Sequence, residues 1–165
     1  MCVSLRPIER DDLNALHKWR NTESIFSQLG GGFSPTSRTE MEKWMDNFSA
    51  NVSHTKRFII EFEGVSVGYI SLNNINYINR NAELGIYIGE SNFHGKGIAS
   101  KALNQLEEFS KNHLNLKKIK LLVNENNTPA IKLYEKLNYN QVGKMIEERY
   151  INNQWVNVLM MEKMI

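Results

Sequence analysis

The sequence predicts an α/β fold: a mixed, mainly antiparallel sheet of about seven strands, with helices on both faces and a central βαβ crossover. Three observations predict it. The elements run in the order β-α-α-β-β-β-α-β-α-β-β, so helices interrupt the strands without alternating strictly with them. Two β-rich runs, 57–62 and 65–72, meet at Glu63-Gly64, a turn short enough to force a hairpin. One long helical repeat, 97–113, separates two apolar strands, 82–88 and 118–123, which a right-handed crossover makes parallel.

Residues 3–8 read as the first strand. Leu13, Leu16 and Trp19 then recur at helical spacing, with Asp11 or Asp12 as cap. The glycine-rich segment QLGGGFSPTS, 28–37, reads as a mobile loop. Ser37 and Glu40 form a capping box ahead of a helix whose apolar face carries Met41, Trp44, Met45 and Phe48. After the hairpin and the strand AELGIYI, the 97–113 helix buries Ile98, Ala102, Leu106 and Phe109. A later helix opens at Thr128-Pro129, threonine as cap and proline at the first helical position, with Ala130, Leu133, Tyr134 and Leu137 facing inward. Two strands, 139–147 and 154–163, complete the chain.

A chain of 165 residues suits a single domain, 1–165, and can bury a real core. Hydrophobic residues make up 41% and charged residues 23%, an ordinary globular balance. A net charge of +2 argues for neither nucleic acid nor a membrane surface as partner. Cys2 stands alone, so no intramolecular disulfide forms, and a reducing compartment is favoured. The N-terminal segment turns charged by Arg6 and lacks the apolar run of a signal peptide. A cytoplasmic protein is therefore expected. His17, His54 and His113 lack partners at metal-ligand spacing, so no metal site is predicted.

FHGKGIASKAL, 93–103, sets two glycines at a helix entrance. Glycine there weakens the helix start unless the backbone needs a special conformation or a close visitor. Two readings fit. The glycines close a tight βα turn, or they open the unpartnered first-turn amides and the positive helix end to a phosphate, with Lys96 adding charge. The pattern is neither a P-loop nor G-x-G-x-x-G, since Ser100 stands three residues after Gly97.

A second segment bears on the choice. NENNTPAIKLYEKLNYNQVG, 124–143, together with the glycine turn, resembles the GNAT superfamily of acetyl-CoA-dependent N-acetyltransferases. The family's [QR]-x-x-G-x-[GA] reads here His94-Gly95-Lys96-Gly97-Ile98-Ala99, with His94 replacing Gln/Arg. Its N-x-x-A-x-x-x-Y-x-x-x-G-[FY] reads from Asn127 through Ala130 and Tyr134 to Asn138-Tyr139, with Asn138 replacing Gly. Asparagine is the next-best residue for a left-handed helix end. The branch it looks like contains the ribosomal-protein-alanine and spermidine N-acetyltransferases, and the resemblance covers nearly the whole chain.

The resemblance implies a GNAT-like fold that moves acetyl from acetyl-CoA to a primary amine: a polyamine, an amino sugar, or a protein or peptide amine. Gly95, Lys96, Gly97, Ile98, Ala99 and Ser100 would bind the diphosphate, with His94 at the head of the loop. Ile86 and Ile88 would pair with the pantetheine arm through their main chain, and Asn127 would contact its amides. Tyr134 would protonate the leaving thiolate; a packing role with a satisfied hydroxyl is the alternative. Glu83 would act as base or hold the water that does, against an edge carboxylate facing solvent. Trp19, Arg20, Asn21 and the 27–37 loop lie where relatives build the acceptor site. A homodimer is the candidate assembly. The competing function is an acyl-CoA-binding sensor or scaffold without turnover.

Overall fold

The computed structural model describes residues 2–48 and 52–165. Seven strands form one sheet in the order β1-β2-β3-β4-β5-β7-β6. They are β1 Val3–Pro7, β2 Lys56–Phe62, β3 Val65–Asn76, β4 Asn81–Ile88, β5 Lys118–Asn124, β6 Asn140–Ile151 and β7 Gln154–Met164. All neighbours are antiparallel except β4 and β5. The predicted hairpin turn at Glu63-Gly64 has φ 50° and 80°, the two positive values of a turn that matches strand twist.

Helices cover both faces. On one side α1 (Leu13–Arg20) and α3 (Arg38–Phe48) bury Leu13, Leu16, Trp19, Met41 and Met45 against Ile59. On the other, α4 (Ile98–Leu114) and α5 (Thr128–Lys136) bury Ile98, Ala102, Leu103, Leu106 and Tyr134 against Ile60, Ile70, Leu84 and Leu121. Ile59 and Ile60 are neighbours in β2 yet belong to opposite cores, as strand alternation requires. A short α2 (Glu23–Phe26), absent from the sequence reading, follows α1. No helix among the described residues is long and apolar enough to cross a membrane.

Two local readings resolve at the helix starts. The Ser37–Glu40 box forms: Ser37 N donates to Glu40 Oε2 at 2.6 Å, and Glu40 N donates to Ser37 Oγ at 3.1 Å. The cap of α5, however, is Asn127 rather than Thr128. Asn127 Oδ1 accepts from Ala130 N at 3.3 Å, which moves Thr128 and Pro129 into the first turn. Proline is at home there, because first-turn N–H groups have no helical acceptor.

Candidate active site

Among the described residues the only parallel strand pair is also the one in register over the fewest residues. β4 and β5 are in register over Asn81–Glu83 and Lys118–Lys120, and part beyond that point. β5 stays zipped to β7 through Asn124, and β4 stays zipped to β3 through Ile88, so each strand is held while the gap between them widens. Gly89 N donates to Val67 O at 2.8 Å, on the β3 side. Alternation therefore turns the main-chain groups of Ile86 and Ile88 toward the gap, unclaimed by any strand. A cavity of about 790 Å³ occupies the gap, within the range of small-molecule sites.

The glycine turn lies at the far end of β4. Gly95 and Gly97 have φ 74° and 73°, and Gly97 is the left-handed N-cap of α4. Left-handed backbone by itself calls for glycine at both positions. A Cβ at either would meet nothing within 4 Å, so open space, not packing, lies above them. No N–H from Gly95 through Ser100 donates to any described residue, and no side chain caps α4. Six successive amides at a helix N-terminus thus have no partner among the described residues. Ile98 sends its side chain into the core and contributes only its amide. Lys96 Nζ lies over the Phe93 ring, 4.9 Å from its centroid. His94 turns to the strand instead: its Nε2 donates to Ile88 O at 2.9 Å.

Tyr134 and Glu83 approach the gap from opposite faces of the sheet. Tyr134 is 8% exposed, on the α4–α5 side, with its ring 5.9 Å from that of Tyr139. Its hydroxyl makes no hydrogen bond to a described residue, and it lines the cavity. Burial pushes its phenol up to about 12, so it is protonated throughout the neutral range. Glu83 alternates with Leu84 and Ile86 and so points to the α1–α3 side, with Oε2 3.4 Å from Asn74 Nδ2. Both residues border one cavity because the sheet is split between them. Asn127 reaches the same wall, its oxygen engaged in the helix cap and its NH₂ without a described partner.

Residues 3–140 match the acetyltransferase (GNAT) domain model. The chain belongs to the GNAT acetyltransferase family. It is 32% identical over 163 residues to the spermidine N(1)-acetyltransferase of Escherichia coli K12, covering 96% of this chain and 84% of that one. Over 91 residues it is 30% identical to a putative ribosomal N-acetyltransferase of Bacillus subtilis, 55% of this chain and 49% of the relative. The solved structure of the Vibrio cholerae spermidine N-acetyltransferase with CoA and spermine superposes with a TM-score of 0.91 at 32% identity, over 98% of this chain and 95% of that one. The GNAT assignment makes the chain an acetyl-CoA-dependent N-acetyltransferase.

Of the residues expected near the acceptor, Arg20 lines the cavity, while Trp19 and Asn21 do not. Trp19 is fully buried, and its Nε1 donates to Glu90 Oε1 at 2.9 Å. It is a core residue, and the close approach of Gly89, where a Cβ would come within 2.4 Å of the indole, explains that glycine. Arg20 does line the cavity. Asn21 instead ties down the loop, accepting from Thr36 N at 2.8 Å and donating to Thr36 O at 2.9 Å. Asn124 Nδ2 adds a bond to Gln28 O at 3.1 Å, so the segment read as mobile is anchored at both ends. Met41 and Trp44 are partly wall as well as core.

Several cavity residues escaped the sequence reading. Tyr69 and Tyr87 face each other in register and stack at 5.3 Å. Arg149 arrives from β6 past a register shift between Met145 and Arg149, and its Nη1 donates to Asn124 Oδ1 at 2.6 Å. Alternation in VSVGYISL could have flagged the face of Tyr69; nothing local flags Arg149. Among the described residues no group of His, Cys, Asp and Glu could hold a metal ion.

Burial raises the phenols of Tyr69, Tyr87 and Tyr134 above their usual 10.0, and raises Tyr139 with help from the Glu107 carboxylate. Unfolded phenols lose their protons first as pH rises, so this contribution to stability is complete below about pH 10 and shrinks above it. Thermal melts should hold steady up to that pH and then fall steeply. Tyr87→Phe should flatten the alkaline fall, and an unchanged slope would remove these phenols as its cause.

Proposed function

We propose that this enzyme transfers acetyl from acetyl-CoA to a primary amine by direct attack, with Tyr134 as hydrogen donor to the departing sulfur. The amine nitrogen forms a bond to the thioester carbonyl carbon, the C–S bond breaks, and CoA leaves as the thiol. The alkylammonium, with a pKa near ~10.4, first gives up a proton to water, which Glu83 is positioned to hold. A second proton leaves the nitrogen for water as the tetrahedral intermediate collapses, and water returns one to the Tyr134 phenolate, making good the proton given to sulfur. The N–H groups of Ile86 and Ile88, turned to the open side of β4, are suited to the pantetheine arm and to the oxyanion. The amides from Gly95 to Ser100 are suited to the diphosphate, with Lys96 as the added cation.

The observation that carries this reading is the split between β4 and β5, bordered by a protonated phenol on one face and a carboxylate on the other. A thioester in the split would have the amine arrive from the Glu83 side and the sulfur depart toward Tyr134. The polyamine relatives make spermidine the first acceptor to try. The competing sensor reading is separated by a thiol-release assay with acetyl-CoA and an amine panel, with product mass read alongside. Steady CoA release with a 42 Da gain on one amine is the expected result, the mass of an acetyl group replacing hydrogen. Tight acetyl-CoA binding without amine-dependent release would favour the sensor.

A further inference from the structure

The cavity wall carries two carboxylates, Glu40 and Glu83, and two guanidinium groups, Arg20 and Arg149. These four are not equally available. Glu40 is spent on the α3 capping box through its 2.6 Å bond from Ser37 N. That leaves Glu83 as the wall's one carboxylate without a backbone partner. Neither guanidinium makes a direct ion pair among the described residues: Arg20 lies over Phe26, 4.5 Å from the ring centroid, with the Glu40 carboxylate near enough to act on it as a charge. Among the described residues Arg149 donates to neutral oxygens, Asn124 Oδ1 at 2.6 Å and Gln28 O at 3.4 Å, while the Glu83 and Glu148 carboxylates act on it only from a distance. Burial lowers its pKa, the mark of a desolvated cation whose nearby acids do not offset the loss of water.

A polyamine brings several positive charges and nothing for a guanidinium to bind. Such a substrate would meet two half-buried cations that no carboxylate directly pairs, where like charges repel. A carboxylate or phosphate would satisfy them with paired, charge-assisted hydrogen bonds. The wall between them is aromatic: Phe26 lies 5.2 Å from Tyr87, which stacks on Tyr69. We propose that the acceptor of this enzyme is an anionic amine, whose carboxylate or phosphate is read by Arg149 and Arg20 while its amino group reaches the split beside Glu83. The proposal rests on the acetyl-transfer reading but departs from polyamines as acceptor class, and makes Arg149 the principal specificity residue.

The test compares matched acceptors: glucosamine against glucosamine phosphate, aminohexanamide against aminohexanoate, and spermidine as the cationic arm. The two pairs separate a phosphate from a carboxylate. The anionic member of at least one pair should win in kcat/KM by roughly tenfold or more, and should also exceed spermidine. Arg149→Gln should erase that advantage through KM, and Arg149→Lys should restore part of it. Arg20→Gln serves as a second variant should the loop around Gln28 shift, and unchanged CoA affinity confirms that each variant is folded. Spermidine or the neutral members equalling the anionic ones overturns the proposal and leaves acetyl transfer standing, as does an anion advantage that survives both arginine substitutions. Acetyl-CoA binding without turnover of any amine overturns acetyl transfer itself, and this proposal with it.

Discussion

Tyr134→Phe is expected to lower kcat by about 100-fold or more while acetyl-CoA affinity stays within roughly twofold of wild type. The substitution removes one oxygen and keeps the ring. Packing against Tyr139 therefore survives, and no protein hydrogen bond is lost, because the hydroxyl has no partner among the described residues. Under the proposed mechanism, what disappears is the donor at the place where sulfur accumulates charge. A phenol held at about 12 is a weak acid beside a free thiol of pKa ~8.5, a mismatch that in water opposes the transfer. The same dry surroundings raise the proton affinity of a thiolate formed there, so the gap narrows as the bond breaks. Before full transfer, the hydroxyl would already stabilise the developing anion by hydrogen bonding. Single-turnover kinetics isolate this step from product release. A kcat within a few-fold of wild type would reduce Tyr134 to a packing residue.

Gly97→Glu is expected to weaken CoA binding by at least about 100-fold, near 3 kcal/mol. The side chain would project into the space above the turn, where a Cβ meets no protein atom within 4 Å. The loss therefore arises from blocking and repelling the diphosphate and not from a clash within the fold. The backbone has its own cost: at φ 73° a side chain is strained by roughly 1–2 kcal/mol. Gly97→Ala separates the two, since it carries the same strain without the carboxylate. The alanine variant should lose part of its thermal stability and bind CoA far better than the glutamate variant. Calorimetric titration with CoA, beside melting curves, reads both quantities. Equal affinity in wild type and Gly97→Glu would move the diphosphate away from this turn.

The two variants probe parts of the molecule that were unequally legible. The glycine turn could be read directly, because a left-handed N-cap is a local demand and leaves glycine as its trace. The faces of α1, α3 and α4 could be read for a similar reason: a helix buries residues at fixed spacing, and Leu13, Leu16, Met41, Met45, Ala102 and Leu106 are all core. Cap positions were less secure. Asn127 and Thr128 are both good caps, and the choice depended on which side chain reached Ala130 N.

Trp19 marks the limit of periodicity. Its spacing put it on the inner face of α1, but spacing does not say whether that face meets a cavity or a strand. The meeting of Trp19 with Gly89 and Glu90, some seventy residues away in sequence, made it core. Arg20, its neighbour, was left on the cavity wall.

By itself the sequence determined the element order, the helix faces, the hairpin at Glu63-Gly64 and the amide-rich turn at Gly95–Gly97, because each follows from backbone preference or from a period within one segment. Only the tertiary structure decided that β4 and β5 separate after Glu83, that Tyr69 meets Tyr87, and that Arg149 enters the cavity at the split without a direct ion pair among the described residues. Those outcomes depend on register and on charge balance between distant strands, and neither leaves a mark on the few residues that any local pattern spans.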